Sequence, residues 1–457
     1  MRHLLLLSLA LMALSGCASI KETPAPVMQT AEQYFARRLD DAGLKSFIEQ
    51  ATGKPASGTW DAQQLTLAAL YFNPDLDVAR SQWEVSKAGK ITAGQRPNPS
   101  VSITPSHDAT QPSPWFFGLD INLPIETAGK RELRVEQAEH LASVAEYQVG
   151  SAAWAVRSRV VNALIDVVAA DTSVALYRQQ ADAQKAVLDV FSERTAQGQL
   201  PSVTASQVRV AYQQTLLAEK EAAKQAVEAR ARLAAAIGVS LTALDSIKID
   251  PDGLELPSAA VVDRPSALKV HTGLMAALAE YEAAHSALQL ELAKQMPDIN
   301  LGPGYSWNKD GNAFRLGLSI TLPVFNNNEG PIAEAVAKRK LAVDKFNAAQ
   351  ADIIGRIDGA EASLKTAKSK LDTADRLLAA QQDKLKQLQS QLRPAEASKL
   401  PLLLAQSEIY TAAIARQDAL VQVLKSKAAL EEALEQPQFG SAFDASASRQ
   451  PPRPEGQ

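Results

Sequence analysis

Between Pro124 and Pro201 the chain runs about 76 residues without a proline. An interior proline removes a backbone donor and clashes with the preceding turn, so long helices are confined to such runs. At a rise of 1.5 Å per residue, a mostly continuous helix here is about 100 Å long, more than a globular domain holds. Ala138, Leu141, Ala145, Val149, Ala152, Val156, Val160, Ala163, Val167 and Ala170 recur at spacings of three and four, an apolar stripe close to the coiled-coil period. Arg, Glu and Gln occupy the opposite face. Pro331 to Pro394 bounds a second long run, and Pro201 to Pro251, Pro265 to Pro297 and Pro401 to Pro437 supply the remaining helices. None of these reads as apolar enough to cross a membrane. Aromatics make up only 5% of the chain, and abundant Ala favours long helices packed through small side chains.

The halves of the chain repeat each other. "PSVSI" from Pro99 matches "PDINL" from Pro297 at an offset of 198, and "GLDINLPI" from Gly118 matches "GLSITLPV" from Gly317 at 199. Leu200-Pro201 matches Leu400-Pro401 at 200. Landmarks at a nearly fixed offset signal a duplicated architecture. Each half therefore reads helix, strand, strand, long helix, turn, helix: a first repeat over 60–255 with a hairpin at about 99–124, and a second over 256–436 with a hairpin at about 297–323. The turns between long helices fall at 198–201 and 394–401.

The strands alternate with period two. Phe314, Leu316, Leu318, Ile320 and Leu322 interleave with Arg315, Gly317, Ser319 and Thr321, while Phe117, Leu119, Ile121 and Leu123 interleave with Gly118, Asp120 and Asn122. Tyr305 and Trp307 gather towards one end. An apolar outer face, a polar inner face and interfacial aromatics are the signature of a transmembrane β-barrel, which places Asp120, Asn122, Arg315 and Ser319 on the lumenal side. A soluble amphipathic hairpin over a core is the plainer alternative, and two matched hairpins weigh against it. Four strands cannot close a barrel, and an open edge in lipid leaves several kcal/mol per unpaired backbone group, so the chain must oligomerise. Two copies give eight strands and three give twelve; only the wider barrel leaves an aqueous lumen.

The single cysteine, Cys17, excludes an internal disulfide and a cysteine-based metal cluster. It follows Arg2 and His3, an apolar run from Leu4 to Leu14, and the small residues Ser15 and Gly16, the layout of a secretory signal over 1–16. Leu14-Ser15-Gly16-Cys17 resembles the bacterial lipobox, which implies cleavage before Cys17 and a diacylglycerol on its thiol. Residues 17–59 read as a Pro-punctuated tether with one short helix, and the Pro-rich polar segment 437–457 as a disordered tail. The net charge is −4 with acids and bases interleaved, so no basic face suits nucleic acid. The acids lie on solvated helices and support no catalytic pair. His107, His140, His271 and His285 share no ligand spacing, read as surface residues, and suggest neither a metal site nor a cofactor.

Taken together, "NPDLDVAR" at 73–80, "QRPNPSVSI" at 95–103, "DINLPIETAGKR" at 120–131, the second Leu-Pro-ending strand and "RTAQGQLPSVTASQ" at 194–207 resemble the outer-membrane factors of tripartite efflux systems, the TolC family. The resemblance covers about 59–435, and "PIETAGKR" is most similar to members serving heavy-metal cation exporters. It implies a homotrimer in a Gram-negative outer membrane, mainly α with a shared twelve-stranded β-barrel and a twelve-helix periplasmic tunnel, passive and without enzymatic activity. The implied partners are a periplasmic adaptor, outer-membrane lipids and an inner-membrane pump of the resistance-nodulation-division type or similar. Adaptor contact is implied for Arg194, Gly198, Leu200 and Pro201 in one tip and Ser398, Leu400 and Pro401 in the other. Thr204 stands where many members have Asp, and Pro394 where the second tip would have Arg. Gly198 also suits a helix C-cap. The rival is a periplasmic coiled-coil lipoprotein acting as an adaptor or spacer, which would lack two such strand pairs.

Overall fold

The computed structural model describes residues 27–55, 58–110, 114–250, 254, 264–391, 399–437 and 439. The first half comprises α1 (Val27–Ala36), α2 (Ala42–Thr52), β1 (Thr59–Trp60), α3 (Ala62–Phe72), α4 (Pro74–Ala93), β2 (Ser100–His107), β3 (Trp115–Ile125), α5 (Lys130–Ala196), α6 (Ser202–Ile237), α7 (Leu241–Leu244) and β4 (Lys248–Ile249). The second comprises α8 (Arg264–Val270), α9 (Thr272–Ala293), β5 (Ile299–Asn308), β6 (Gly311–Ile320), α10 (Glu329–Gln391) and α11 (Lys399–Leu434). The 67 residues of α5 and the 63 of α10 make rods of roughly 100 and 95 Å. Even the turn into each rod repeats. Gly129 at φ 68° precedes α5 and Asn328 at φ 63° precedes α10, two residue types that tolerate the left-handed region.

Small residues at heptad spacing hold the rods together. The buried or half-buried seam of α10 is Ile353, Ile357, Ala360, Leu364, Ala367, Leu371 and Ala374, in steps of four and three, packed against Ala419, Val423, Leu430, Ala433 and Leu434 of α11. Along α5, Ala145, Val149, Val156, Val160, Ala163, Val167 and Ala170 are buried as their spacing predicts, while Leu141 is exposed. The thickest core lies midway along the rods, where Leu65 and Leu70 of α3 meet Val160 and Leu164 of α5 and Leu233 and Ile237 of α6. Contrary to the sequence expectation, α5 contains an 18-residue window apolar enough for a membrane, with mean hydropathy 1.5. Val160, Val161, Leu164 and Val167 of this helix belong to the core, which accounts for part of the hydropathy without a bilayer.

Within the segment expected to be a tether, the described residues carry two helices instead of one and join the core: Leu44, Phe47 and Ile48 are buried, as is Trp60 just beyond it. Trp60 pairs with Ile249 in a parallel two-stranded sheet. The Arg37 guanidinium donates to the carbonyls of Phe72 (2.8 Å) and Gly238 (2.7 Å), capping the C-terminal ends of α3 and α6 with a cation, where the helix dipoles favour one. Gly238 itself has φ 90°, and a Cβ there would lie 2.7 Å from the Phe72 carbonyl oxygen, so only glycine lets α6 end against α3.

Two further expectations are corrected at the same level. The segment from 437 is not wholly a loose tail, because Phe439 is 1% exposed. Arg157 of α5 donates to Glu431 of α11 (2.5 Å) and to the Phe439 carbonyl (2.7 Å), and the Phe439 amide donates to Glu431 (3.0 Å). His271 is not a surface histidine but a buried N-cap of α9, its Nδ1 accepting from the Gly273 amide at 3.2 Å. Its Nε2 is buried without a hydrogen-bond partner among the described residues.

Burial, with a smaller contribution from Arg356, pushes the His271 pKa down to about 4. The unfolded chain therefore binds the proton first, and stability contributed by neutral His271 is lost as pH falls from the unfolded value near 6.5 towards 4. The loss is expected to reach on the order of 2 kcal/mol at pH 5. Glu435, whose carboxyl burial raises, offsets part of this in acid. Unfolding wild type and His271→Gln at pH 7 and pH 5 separates the two: the variant should show the flatter dependence, and identical slopes would contradict the assignment.

Candidate functional site

Strands β2, β3, β5 and β6 form one antiparallel sheet in that order, so β2 and β6 are its open edges. The register confirms the alternation read from the sequence. Val101 and Ile103 stand opposite Ile121 and Leu119, Leu123 opposite Leu301, and Leu301 opposite Leu318, all on one face. That face is exposed: Ile103 is 69%, Phe314 83%, Leu316 74% and Leu318 65% accessible. An apolar sheet face this open is what a lipid-facing surface requires and what a soluble sheet avoids. Phe117, Trp307, Tyr305 and Phe314 stack in a row at the hairpin end, with centroids 4.8 to 5.7 Å apart.

Asp120, Asn122, Arg315 and Ser319 all lie on the opposite, polar face. The structure joins two of them. Asp120 stands opposite Gly304, which stands opposite Arg315, and Arg315 donates to Asp120 Oδ1 at 3.1 Å across the middle strand. A Cβ at Gly304 would collide with that carboxylate oxygen. Sequence reading placed both charges on this face but missed the glycine between them; a glycine inside a strand is itself the sign of such a close approach.

Below the sheet, "PIETAGKR" forms a knuckle that ties the halves together. The buried Lys130 ammonium donates to the Met296 carbonyl (2.6 Å) and to Asp298 (2.7 Å). Thr127 donates to Asp298 from its amide (3.0 Å) and to the Pro297 carbonyl from its hydroxyl (2.8 Å). Arg134 pairs with Glu126, and Arg131 donates to the Gly94 carbonyl at the end of α4 (2.7 Å). The hydrogen bond from Arg134 holds the Glu126 carboxyl below the usual range. Burial alone would raise Asp298, but hydrogen bonds from Lys130 and Thr127 bring it below as well. This cross-linking operates above the ordinary carboxylate range and is lost in strong acid.

At the far end of the rods, the first tip is a helix stop. Gln199 N–H donates to the Arg194 carbonyl (2.9 Å) and Gly198 N–H to the Thr195 carbonyl (3.0 Å), with Gly198 at φ 72°. These two bonds make a Schellman motif, so the spacing from Arg194 to Gly198 is the distance from the last turn to its left-handed cap. Arg194 also puts a cation where the dipole favours one. Leu200 is half-buried, and Pro201 opens α6 with φ −64°. In the second tip, Leu400 and Pro401 lie in the first turn of α11, where a missing donor costs nothing, whereas Pro201 precedes its helix. Pro394 and Ser398 lie outside the described residues, as do Cys17 and the cleavage residues Leu14, Ser15 and Gly16.

Residues 65–239 and 264–436, one block in each half, match the family model described as outer membrane efflux protein. The cobalt-zinc-cadmium resistance protein CzcC of Cupriavidus metallidurans is 25% identical over 296 residues, 64% of this chain and 70% of CzcC. The pyoverdine export outer membrane protein OpmQ of Pseudomonas aeruginosa is 25% identical over 469 residues, 93% of each chain. Among solved structures, the outer membrane protein VceC from Vibrio cholerae shares the fold with a TM-score of 0.67 at 18% identity, covering 82% of this chain and 95% of VceC.

Proposed function

The chain belongs to the outer membrane efflux protein family, and on that basis we propose that three copies assemble into one passive exit duct in a Gram-negative outer membrane. The observation that carries this is a four-stranded sheet with two unpaired edges and an exposed apolar face, continuous with rods of roughly 100 Å. In lipid the edges must pair with another copy, and twelve strands rather than eight leave a water-filled bore. The rods then line a periplasmic tunnel whose tips, through Arg194, Gly198, Leu200, Pro201, Ser398, Leu400 and Pro401, meet an adaptor and an inner-membrane pump of the resistance-nodulation-division type or similar.

The duct does no chemistry of its own; the energised pump drives the flow. The names of CzcC and OpmQ refer to different cargo, metal ions and pyoverdine. Cargo selection accordingly falls to the pump, and this chain passes metal cations or small toxic solutes. Cys17 carries the lipid anchor. Labelled palmitate is expected on wild type and not on Cys17→Ser. Extraction with the outer membrane as a heat-modifiable trimer supports the duct, and a monomeric mass overturns it.

Asp120 and Arg315 line the bore as a neutralised pair. An exposed pair of this kind contributes about 0–1 kcal/mol, so Arg315→Ala should leave stability nearly unchanged. It leaves one unpaired aspartate per copy facing the lumen, and the reversal potential under a salt gradient is expected to move towards cation preference. An unchanged potential would place the pair outside the conduction path.

A further inference from the structure

The duplication fixes how neighbouring copies join, and the intrachain sheet supplies the check. Moving the β2–β3 pairs forward by the offsets of the repeat, 198 for the first strand and 199 for the second, turns Val101↔Ile121 into Ile299↔Ile320 and Ile103↔Leu119 into Leu301↔Leu318. Those are the pairs that β5 and β6 make. Hairpin register is therefore conserved between the halves to the residue.

The remaining interface within the chain is β3 against β5, which joins the second strand of one hairpin to the first strand of the next. Its counterpart is β6 against β2 of a second copy. Applying the same offsets, Leu123↔Leu301 becomes Leu322↔Ile103, and Ile125↔Ile299 becomes Val324↔Val101. We propose that β6 of one copy pairs antiparallel with β2 of the next in this register, and that residues 321–324 become strand in the assembly. This register rests on the duct reading and deepens it.

Three observations favour it. Leu322 and Val324, beyond the end of β6, are each 71% exposed, although their counterparts Leu123 and Ile125 lie in β3. In the proposed register they meet Ile103 and Val101, which are 69% and 61% exposed on the opposite edge. On the other face, Thr321 meets Thr104 and Ser319 meets Ser106, small polar residues throughout. A slip by one residue would set every lipid-facing side chain against a lumenal one, so the alternation excludes odd shifts. The duplication then selects among the even ones.

Directly opposed residues in an antiparallel pair have Cβ atoms about 4.5–5.5 Å apart, within disulfide reach. The test is oxidative crosslinking of full-length protein in membranes, with wild type and each single cysteine variant as controls. Ile103→Cys combined with Leu322→Cys is expected to convert most of the monomer band, on denaturing gels, into covalent dimers and trimers. Val101→Cys with Ile320→Cys, four residues out of register and thus roughly 13 Å away along the strand, is expected to stay monomeric. Crosslinking of the 101–320 pair, or silence of the 103–322 pair in a protein that remains a conducting trimer, overturns the register and leaves the duct standing. A wild type that never forms trimers overturns both.

Discussion

Arg157→Met is expected to destabilise the protein by about 3–5 kcal/mol, the largest single effect foreseen for a side chain distant from the membrane. Arg157 is 1% and Glu431 3% exposed as side chains, so removing the guanidinium takes from a carboxylate in the core its ion-pair partner at 2.5 Å. The same change frees the Phe439 carbonyl and loosens the segment that Phe439 anchors. Nearby, the Lys427 ammonium sits 3.7 Å over the Phe439 ring, its pKa pushed down by burial to about 8, so this corner contains charge that only mutual pairing makes tolerable. Arg157→Lys should recover only part of the loss, because an ammonium cannot reproduce a planar fork that reaches a carboxylate and a carbonyl together. Denaturant unfolding in detergent measures the order wild type, Arg157→Lys, Arg157→Met; a loss below about 1 kcal/mol for Arg157→Met would mean that the pair does not hold the halves together.

Leu318→Arg and Ser319→Arg form the second test, because they are neighbours in sequence and opposites in the sheet. Leu318 stands opposite Leu301 on the apolar face, and Ser319 opposite Asn300 on the polar one. An arginine facing lipid near the midplane costs roughly 2–4 kcal/mol, whereas a lumenal one meets water and costs little. Leu318→Arg is therefore expected to reduce assembled protein in the outer membrane and lower its unfolding midpoint, with Ser319→Arg close to wild type. Equal tolerance at both positions would refute the strand phase.

The features legible in the sequence were those that periodicity or duplication writes repeatedly. Strand phase is readable because period two sends each residue to a definite face, so the alternation alone groups Asp120, Asn122, Arg315 and Ser319 on one polar face of the sheet. The rods were readable from proline spacing and from stripes with steps of three and four. What stayed hidden depends on single residues meeting across long separations. Lys130 and Asp298 lie 168 positions apart, and neither belongs to a repeating pattern. Phe439 is one of two phenylalanines within a Pro-rich polar stretch, whose composition outweighs them. His271 looks like a surface residue in the sequence because charged groups that face it, Glu435 and Arg356, lie far along the chain. The buried α2 carries Leu44, Phe47 and Ile48 at helical spacing, but a helix of only 11 residues is too short for its pattern to separate a docked helix from a tethered one.

The shared bore itself is tested most directly by current through planar bilayers carrying protein purified from outer membranes in detergent. The account predicts discrete conductance steps from a particle with the mass of three chains, abolished by heating that dissociates the trimer. A monodisperse trimer that passes no current after adaptor and pump are supplied, or a monomer that conducts alone, would contradict it.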